Sequence, residues 1–159
     1  MKLASLLVLI PLSLMSVSAM AGVAEVKGKT QCTVIDSISK KKAIKSACTY
    51  TGAIGGASTY GIDNMDYKLK NGKKYSTVND ATFDSGDDGR VKNLVKQVSL
   101  NGKPGELVHI RMKTFKVVSE TAMDKLREAG SAELDNGILK CFRAIKNKDT
   151  AFCTPIVMD

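Results

Sequence analysis

The chain is 159 residues long, with 43% hydrophobic, 5% aromatic and 25% charged residues and a formal net charge of +8. This length fits one domain with one modest hydrophobic core, and the chain contains no linker long enough to divide it into several domains. The positive charge favours a partner of negative charge, unless the lysines only form a solvated surface that keeps the protein in solution.

The first residues have the order of a secretory signal peptide. Met1-Lys2 supplies positive charge, Leu3 to Met15 form an apolar run, and Ala19 to Ala21 supply small residues for cleavage. Because serines and a proline interrupt the run, it falls short of the ~20 apolar residues that span a bilayer. The sequence therefore predicts a cleaved signal peptide over 1–21, one globular domain over 22–159, no membrane anchor in the mature form, and a periplasmic or secreted protein.

The cysteines predict a disulfide framework. All of them lie in the predicted mature part, and an even number in a small exported chain indicates disulfides before metal binding or catalysis. Four cysteines allow three pairings. The favoured pairs, each of which brackets a hairpin, are Cys32 with Cys48 and Cys141 with Cys153.

The last hairpin is predicted in detail. Two strands that fold back at Asn147-Lys148 set Cys141 opposite Cys153 and Phe142 opposite Phe152, where both a disulfide and an aromatic contact can form.

The fold class is predicted as α+β, mainly antiparallel β-sheet, as a meander of hairpins or a small open barrel with one or two short helices. One hairpin covers Tyr67 to Ser76, with its turn at Asn71-Gly72. A second runs from Val95 to Leu100, turns across Asn101 to Gly105, and returns as a strand from Leu107 to Val118, which is expected to be central.

Two segments favour a helix, and a third allows either a helical turn or a hairpin turn. Thr121 to Asp124 has the spacing of a capping box, and the apolar residues that follow predict a short helix ended by Gly130. Arg90 to Val98 has apolar residues at helical spacing, but these could also begin a strand. Ser39 to Ala47 contains either a hairpin turn or a helical turn.

The sequence gives little support for a catalytic function. His109 is the single histidine. In a strand, His109, Arg111 and Lys113 share one face, and with Glu106 as a base they give the alternative of a secreted nuclease-like hydrolase. Neither a second histidine nor a catalytic motif accompanies them, so no catalytic residue is assigned and the chain is expected not to be an enzyme.

Metal and cofactor sites are not predicted either. The acidic segment Asp84 to Gly89 is similar to the opening of an EF-hand loop, but Gly86 and Val95 stand at ligand positions, so a turn is the better interpretation. The segment Gly52 to Ser58 is expected to be a loop, and it lacks the ending of a phosphate-binding loop.

A basic surface is the remaining candidate for binding. On the Asn71-Gly72 hairpin, lysines share a face with one tyrosine, which is a thin platform for stacking bases, so no nucleic acid partner is expected. The candidate surface comprises Lys68, Lys70, Lys73, Tyr75, His109, Arg111 and Lys113.

Together these features predict an exported binding protein that recognises the acidic face of another protein, such as an inhibitor or immunity protein against a cell-wall-degrading enzyme or toxin. Ser85-Gly86 resembles the start of the Ser-Gly-x-x-Tyr loop of membrane-bound and periplasmic lysozyme inhibitors, but Gly89 replaces the tyrosine, and the sequence does not place the chain in that family. A further alternative is an envelope component that binds anionic wall polymer or lipopolysaccharide.

Overall fold

The computed structural model describes residues 22–57, 59–85 and 91–156. The predicted signal peptide and most of the acidic segment from Asp84 to Gly89 lie outside these residues. Within them, neither helix has the length and apolar character that crossing a membrane requires.

The described part of the chain consists of nine β-strands and two short helices. In chain order they are β1 (Val23–Ser37), β2 (Lys42–Ala57), β3 (Tyr60–Leu69), β4 (Lys74–Ser85), β5 (Val91–Leu100), β6 (Lys103–Arg111), β7 (Lys116–Val118), α1 (Glu120–Glu128), α2 (Glu133–Asn136), β8 (Ile138–Ala144) and β9 (Asn147–Pro155). The predicted α+β class with a dominant antiparallel sheet is confirmed.

The strands form one sheet in the order β5-β4-β3-β2-β1-β9-β8-β6-β7. A further pairing of β5 with β6, through Ser99 with Pro104 and Leu100 with Lys103, closes the sheet on itself. Since β1 pairs with β9 only at Thr33–Ile35 in the described residues, the closed part is short, and β1 to β5 extend beyond it as a five-stranded sheet.

The main core lies on the inner side of the closed sheet. Tyr75 stacks on Phe152 with ring centroids 4.4 Å apart, and Tyr67 meets the same ring at 5.0 Å. The Cys32–Cys48 disulfide packs into this cluster. Because side chains alternate along a strand, the residues on either side of each core residue face the opposite side of the sheet.

Two smaller clusters complete the packing. On the opposite side of the sheet, Ile35 and Ile110 bury the Cys141–Cys153 disulfide. At one end, Met123 of α1 packs against Val118 and Ile138.

Both predicted disulfides are confirmed, as is the register of the last hairpin. Cys141 lies opposite Cys153, and Phe142 lies opposite Phe152. The turn itself comes two residues earlier than predicted, since Ala144 already pairs with Asn147. Two disulfides are typical of a protein that matures outside the cytoplasm.

The two Asn-Gly hairpins form, with turns that differ from the prediction. In the first, Lys70 to Lys73 make the turn and, of Asn71 and Gly72, only the glycine has a positive φ (86°). In the second, Asn101 and Gly102 both have positive φ (52° and 71°), the geometry of a two-residue type I′ turn. Strand β6 therefore starts at Lys103 instead of Leu107.

The prediction of one central strand from Leu107 to Val118 is wrong. The amides of Thr114 and Phe115 both donate to the carbonyl of Arg111, at 3.2 and 2.7 Å, and this tight turn folds the chain back. Strand β7 then pairs with the end of β6 and lies at the end of the strand order.

The helical interpretation of Arg90 to Val98 is wrong, because Val91–Leu100 is a strand that pairs with β4 along its length. The loop predicted for Gly52 to Ser58 is also wrong, since Gly52 to Ala57 continue β2. A Cβ at Gly52 would lie 2.1 Å from the carbonyl oxygen of Asn64 on β3, so glycine serves close strand contact here rather than a turn.

The predicted short helix is confirmed, but it begins earlier. Ser119, not Thr121, is the N-cap, and its Oγ accepts a hydrogen bond from the Ala122 amide at 3.3 Å. The helix ends as predicted at Gly130, which has φ 57°. The segment Ser39 to Ala47 contains the hairpin turn between β1 and β2, with Lys41 at φ 53°.

Candidate functional site

The cationic row predicted on β6 is not a free surface. His109 is 8% exposed, and its Nδ1 lies 3.6 Å from Oε1 of Glu120. Burial lowers the pKa of His109; Glu120 opposes this shift, and the nearby Arg127 and Lys140 reinforce it. The side chain therefore belongs to the packed interior between β6 and α1.

The other members of that row are separated from His109. Arg111 is held by Glu133 through two hydrogen bonds, from Nε at 2.6 Å and from Nη2 at 3.2 Å. Lys113 lies in the turn after β6 instead of on the strand. The predicted row therefore does not form one cationic face, because His109 is buried, Arg111 is paired with Glu133 and Lys113 lies outside the strand.

Glu106, the predicted base of the nuclease-like site, does not lie beside His109. It lies opposite Arg143 and accepts a hydrogen bond from its Nε at 2.9 Å, with Lys148 Nζ at 3.6 Å. His109 comes three positions after Glu106 along β6, so their side chains point to opposite faces. The nuclease-like arrangement of Glu106, His109 and Arg111 does not form.

The charges inside the closed sheet are also compensated. Lys140, opposite His109 in the register, forms an ion pair with Asp63 of β3, and the two side chains are 17% and 19% exposed. Burial raises the pKa of Tyr67, and the nearby negative charge of Asp63 raises it further. This ion pair joins β3 to β8, and we assign it a structural role.

Tyr75 does not lie on the basic surface predicted for the Asn71-Gly72 hairpin. It is 7% exposed and stacks on Phe152. The register explains the difference, because it sets Lys68 opposite Lys74 and pairs Tyr75 with Tyr67 on the inner face. Lys73 only reaches the rim of the core, with Nζ 5.1 Å from the Tyr75 ring centroid.

The outer face of β1 to β4 brings lysines together from strands distant in sequence. The register aligns its side chains in cross-strand rows, here named after their β1 residue. The Lys70 amide, which donates to the Ala47 carbonyl at 3.0 Å, extends the last row. In order along β2, the rows are Glu25, Ala53, Asn64 and Val78; Lys27, Thr51, Asp66 and Ser76; Lys29, Thr49, Lys68 and Lys74; and Gln31, Ala47 and Lys70.

Three adjoining depressions lie between these rows, with volumes of about 660, 570 and 400 Å³. Their walls are side chains of the rows. Their floors include Met65, Tyr67 and Thr77, which are 2%, 3% and 1% exposed in the core, so only the backbone of these residues can face the depressions. The depressions therefore lie on the outer face, and we call them together the outer groove.

Neighbouring depressions share residues and follow one another along β2. Thr49 and Lys68 line the second and third, and Thr51, Asp66 and Ser76 line the first and second. From Ala53 to Ala47 the strand rises about 3.4 Å per residue, so the outer groove is about 20 Å long. The residues along its centre are alanines and threonines, which leave room between the longer side chains of β1 and β3.

Charge increases along the outer groove. The Glu25 row carries one carboxylate, the Lys27 row carries one lysine and one carboxylate (Asp66), and the Lys29 row carries three lysines. Among the described residues, none of those three lysines forms an ion pair with a carboxylate. One end of the outer groove is thus basic, and the other is mixed and weakly acidic.

The sequence predicted two members of this surface, Lys68 and Lys70, and missed the rest. A period of two was present in the sequence, in Lys27 and Lys29 and in Ala47, Thr49, Thr51 and Ala53. The sequence does not reveal the register that places these strands side by side, so the rows could not be predicted. Comparison with protein-family models, with curated proteins and with solved structures found no match.

Proposed function

We propose that the protein is exported to the periplasm and binds an anionic saccharide polymer of the cell envelope through the outer groove, without catalysing a reaction. The observation that carries this proposal is the Lys29 row, in which three lysines line the second and third depressions without carboxylate partners among the described residues. Like charges directly opposite each other in a sheet are destabilising, so such a row is most easily explained by an anionic ligand that neutralises it.

Export is supported by the sequence of residues 1–21 and by the two disulfides, which persist in oxidising compartments. An anionic polymer of the envelope is the negatively charged material that such a protein meets at high local concentration.

A saccharide polymer fits the outer groove better than an acidic protein does. The centres of protein interfaces are enriched in aromatic residues and arginine and depleted in lysine. Besides lysine, threonine, alanine and serine, the rows of the outer groove contain two carboxylates, one asparagine, one glutamine and one valine, with neither aromatic residues nor arginine. Hydroxyl groups of threonine and serine both donate and accept hydrogen bonds, as sugar hydroxyls require.

Isothermal titration calorimetry with purified lipopolysaccharide tests this proposal. The full chain is expressed for export and purified with its disulfides formed, and it is compared with the triple variant K29Q/K68Q/K74Q. A matched control, K40Q/K113Q/K146Q, removes the same charge from exposed lysines in turns. We expect the groove variant to bind roughly tenfold more weakly or worse, and the control to remain within about threefold of the wild type.

Two results would contradict the proposal. Equal loss of affinity in both triple variants would mean that net charge alone drives the interaction. Absence of lipopolysaccharide binding, together with stoichiometric capture of one protein from periplasmic extract at physiological salt, would favour the inhibitor or immunity protein instead.

A further inference from the structure

The charge gradient of the outer groove narrows the class of ligand. Building on the proposed function, we infer that the ligand is an oligosaccharide phosphorylated at one end. Its phosphate contacts Lys29, Lys68 and Lys74, and its uncharged sugars extend past Thr51 and Asp66 towards Glu25.

The basic end matches a phosphate in both charge and geometry. Lys68 and Lys74 are on adjacent strands, about 5 Å apart in the sheet, and Lys29 is two strands from Lys68 and three from Lys74, about 10 and 14 Å away. Flexible ammonium groups at these positions can converge on one group. A phosphate monoester carries about −1.5 to −2 at neutral pH, whereas one sugar carboxylate carries a single charge and is better matched by the planar fork of arginine.

The mixed end does not suit a ligand that is anionic throughout. Asp66 flanks Thr51 on one side, and Glu25 lies one row further along. Both residues line the first depression together with Asn64, which shares the row of Glu25 and the strand of Asp66. Carboxylates repel a second anionic group, but they accept hydrogen bonds from sugar hydroxyls, and these charge-assisted bonds are stronger than neutral ones.

Continuity of the depressions supports one ligand that occupies both ends. The second depression is lined by residues of both the Lys29 row and the Lys27 row and shares Thr51 and Asp66 with the first, so the phosphate end and the sugar end adjoin. A length of about 20 Å accommodates a short chain of sugars along β2.

The inference is tested with four defined probes: maltotetraose 1-phosphate, maltotetraose, tetragalacturonate and inorganic phosphate. We expect maltotetraose 1-phosphate to bind at least tenfold more tightly than each of the other three. Tetragalacturonate is the critical comparison, because it carries more negative charge but places it along the whole chain.

The double variant E25Q/D66N gives a second test, because its affinities for two of the probes are expected to change in opposite directions. Removing both carboxylates is expected to weaken binding of maltotetraose 1-phosphate about threefold to tenfold and to strengthen binding of tetragalacturonate. A matched control, D124N/E128Q on α1, removes two exposed carboxylates far from β2 in the chain and is expected to change neither affinity more than twofold. Circular dichroism and the melting temperature verify that each variant is folded.

Opposite shifts for the two probes in E25Q/D66N, absent in the control, would support the inference. The inference is overturned if tetragalacturonate binds as tightly as maltotetraose 1-phosphate, or if E25Q/D66N strengthens the binding of both probes. In those cases, lipopolysaccharide binding that still requires the Lys29 row would leave the proposed function standing. If the protein did not bind lipopolysaccharide either, both the inference and the proposed function would be refuted.

Discussion

Lys68 and Lys74 lie directly opposite each other on β3 and β4, with exposed side chains and, among the described residues, no carboxylate within ion-pair distance. Such a like-charge pair costs stability that an opposite-charge pair would supply. We therefore predict that K74E stabilises the unliganded protein by about 0.5 kcal/mol while it weakens lipopolysaccharide binding. Urea unfolding and calorimetry on the same preparations measure the two effects.

The control for this prediction is K96E on β5. Lys96 is exposed and lies opposite Ala81, so its reversal creates no opposite-charge pair with the facing residue. A smaller effect on both stability and binding is expected. If K74E destabilises the protein, or if K96E weakens binding as strongly, the Lys68–Lys74 pair has no special role.

Gly52 is predicted not to tolerate substitution by a residue that has a side chain. A Cβ there would lie 2.1 Å from the Asn64 carbonyl oxygen and 2.6 Å from the Met65 sulfur, whereas a Cβ at Gly61 on β3 would meet nothing within 4 Å. G52A should destabilise the protein by roughly 1–3 kcal/mol, as overpacking does, and G61A should stay within about 0.5 kcal/mol. Denaturant midpoints of the two variants check this, and similar values would argue against close packing of β2 on β3.

The disulfides are predicted to supply a large share of the stability. They close loops of 16 and 12 residues, so each should contribute about 3 kcal/mol. We expect C32A/C48A and C141A/C153A each to lower the free energy of unfolding by about that amount. In the variant that lacks all four cysteines, reductant is expected to leave the melting temperature unchanged. A denatured, unreduced wild type that reacts as two or more free thiols would refute the framework.

Stability should fall on mild acidification because of His109. Burial holds the pKa of this side chain in the folded state below its ordinary value of 6.5. Below about pH 6.5 the unfolded chain therefore binds a proton that the folded chain excludes, so this contribution is complete above pH 6.5 and is lost as the pH falls towards the folded-state pKa.

Urea unfolding of the wild type and H109Q between pH 7.5 and pH 5 measures the contribution of His109 to the pH dependence of the free energy of unfolding. The carboxylates that face His109 or Lys140, Glu120 and Asp63, remain in both proteins, as does Arg127, so their titration affects both curves. A shallower pH dependence in H109Q is the expected result. Parallel curves would show that His109 does not titrate differently in the two states.

Local features of the fold could be predicted from the sequence, because neighbours along the chain determine them. The two Asn-Gly hairpins and the Cys141–Cys153 register depend on turns and on alternation over a few residues. The segment Arg90 to Val98 could not be assigned, because its apolar residues satisfy both the helical and the extended period. Pairing with β4 decided between them.

Tertiary contact accounts for the larger differences. Gly52 to Ala57 resembles a loop in the sequence, but close approach of β3 requires glycine within a continuous strand. The outer groove could not be predicted, because Lys29 and Lys74 become members of one row only when the register of four strands is known. The burial of His109 cannot be predicted, because the sequence does not reveal that the first residue of α1, Glu120, lies beside it.

The central claim is that the outer groove is the binding site, and two-dimensional amide NMR of the labelled protein with maltotetraose 1-phosphate tests it most directly. The largest shifts are expected at Lys29, Thr49, Thr51, Lys68 and Lys74, with little change at His109 or Lys113. Shifts centred on His109, or spread evenly over all exposed lysines, would contradict the claim.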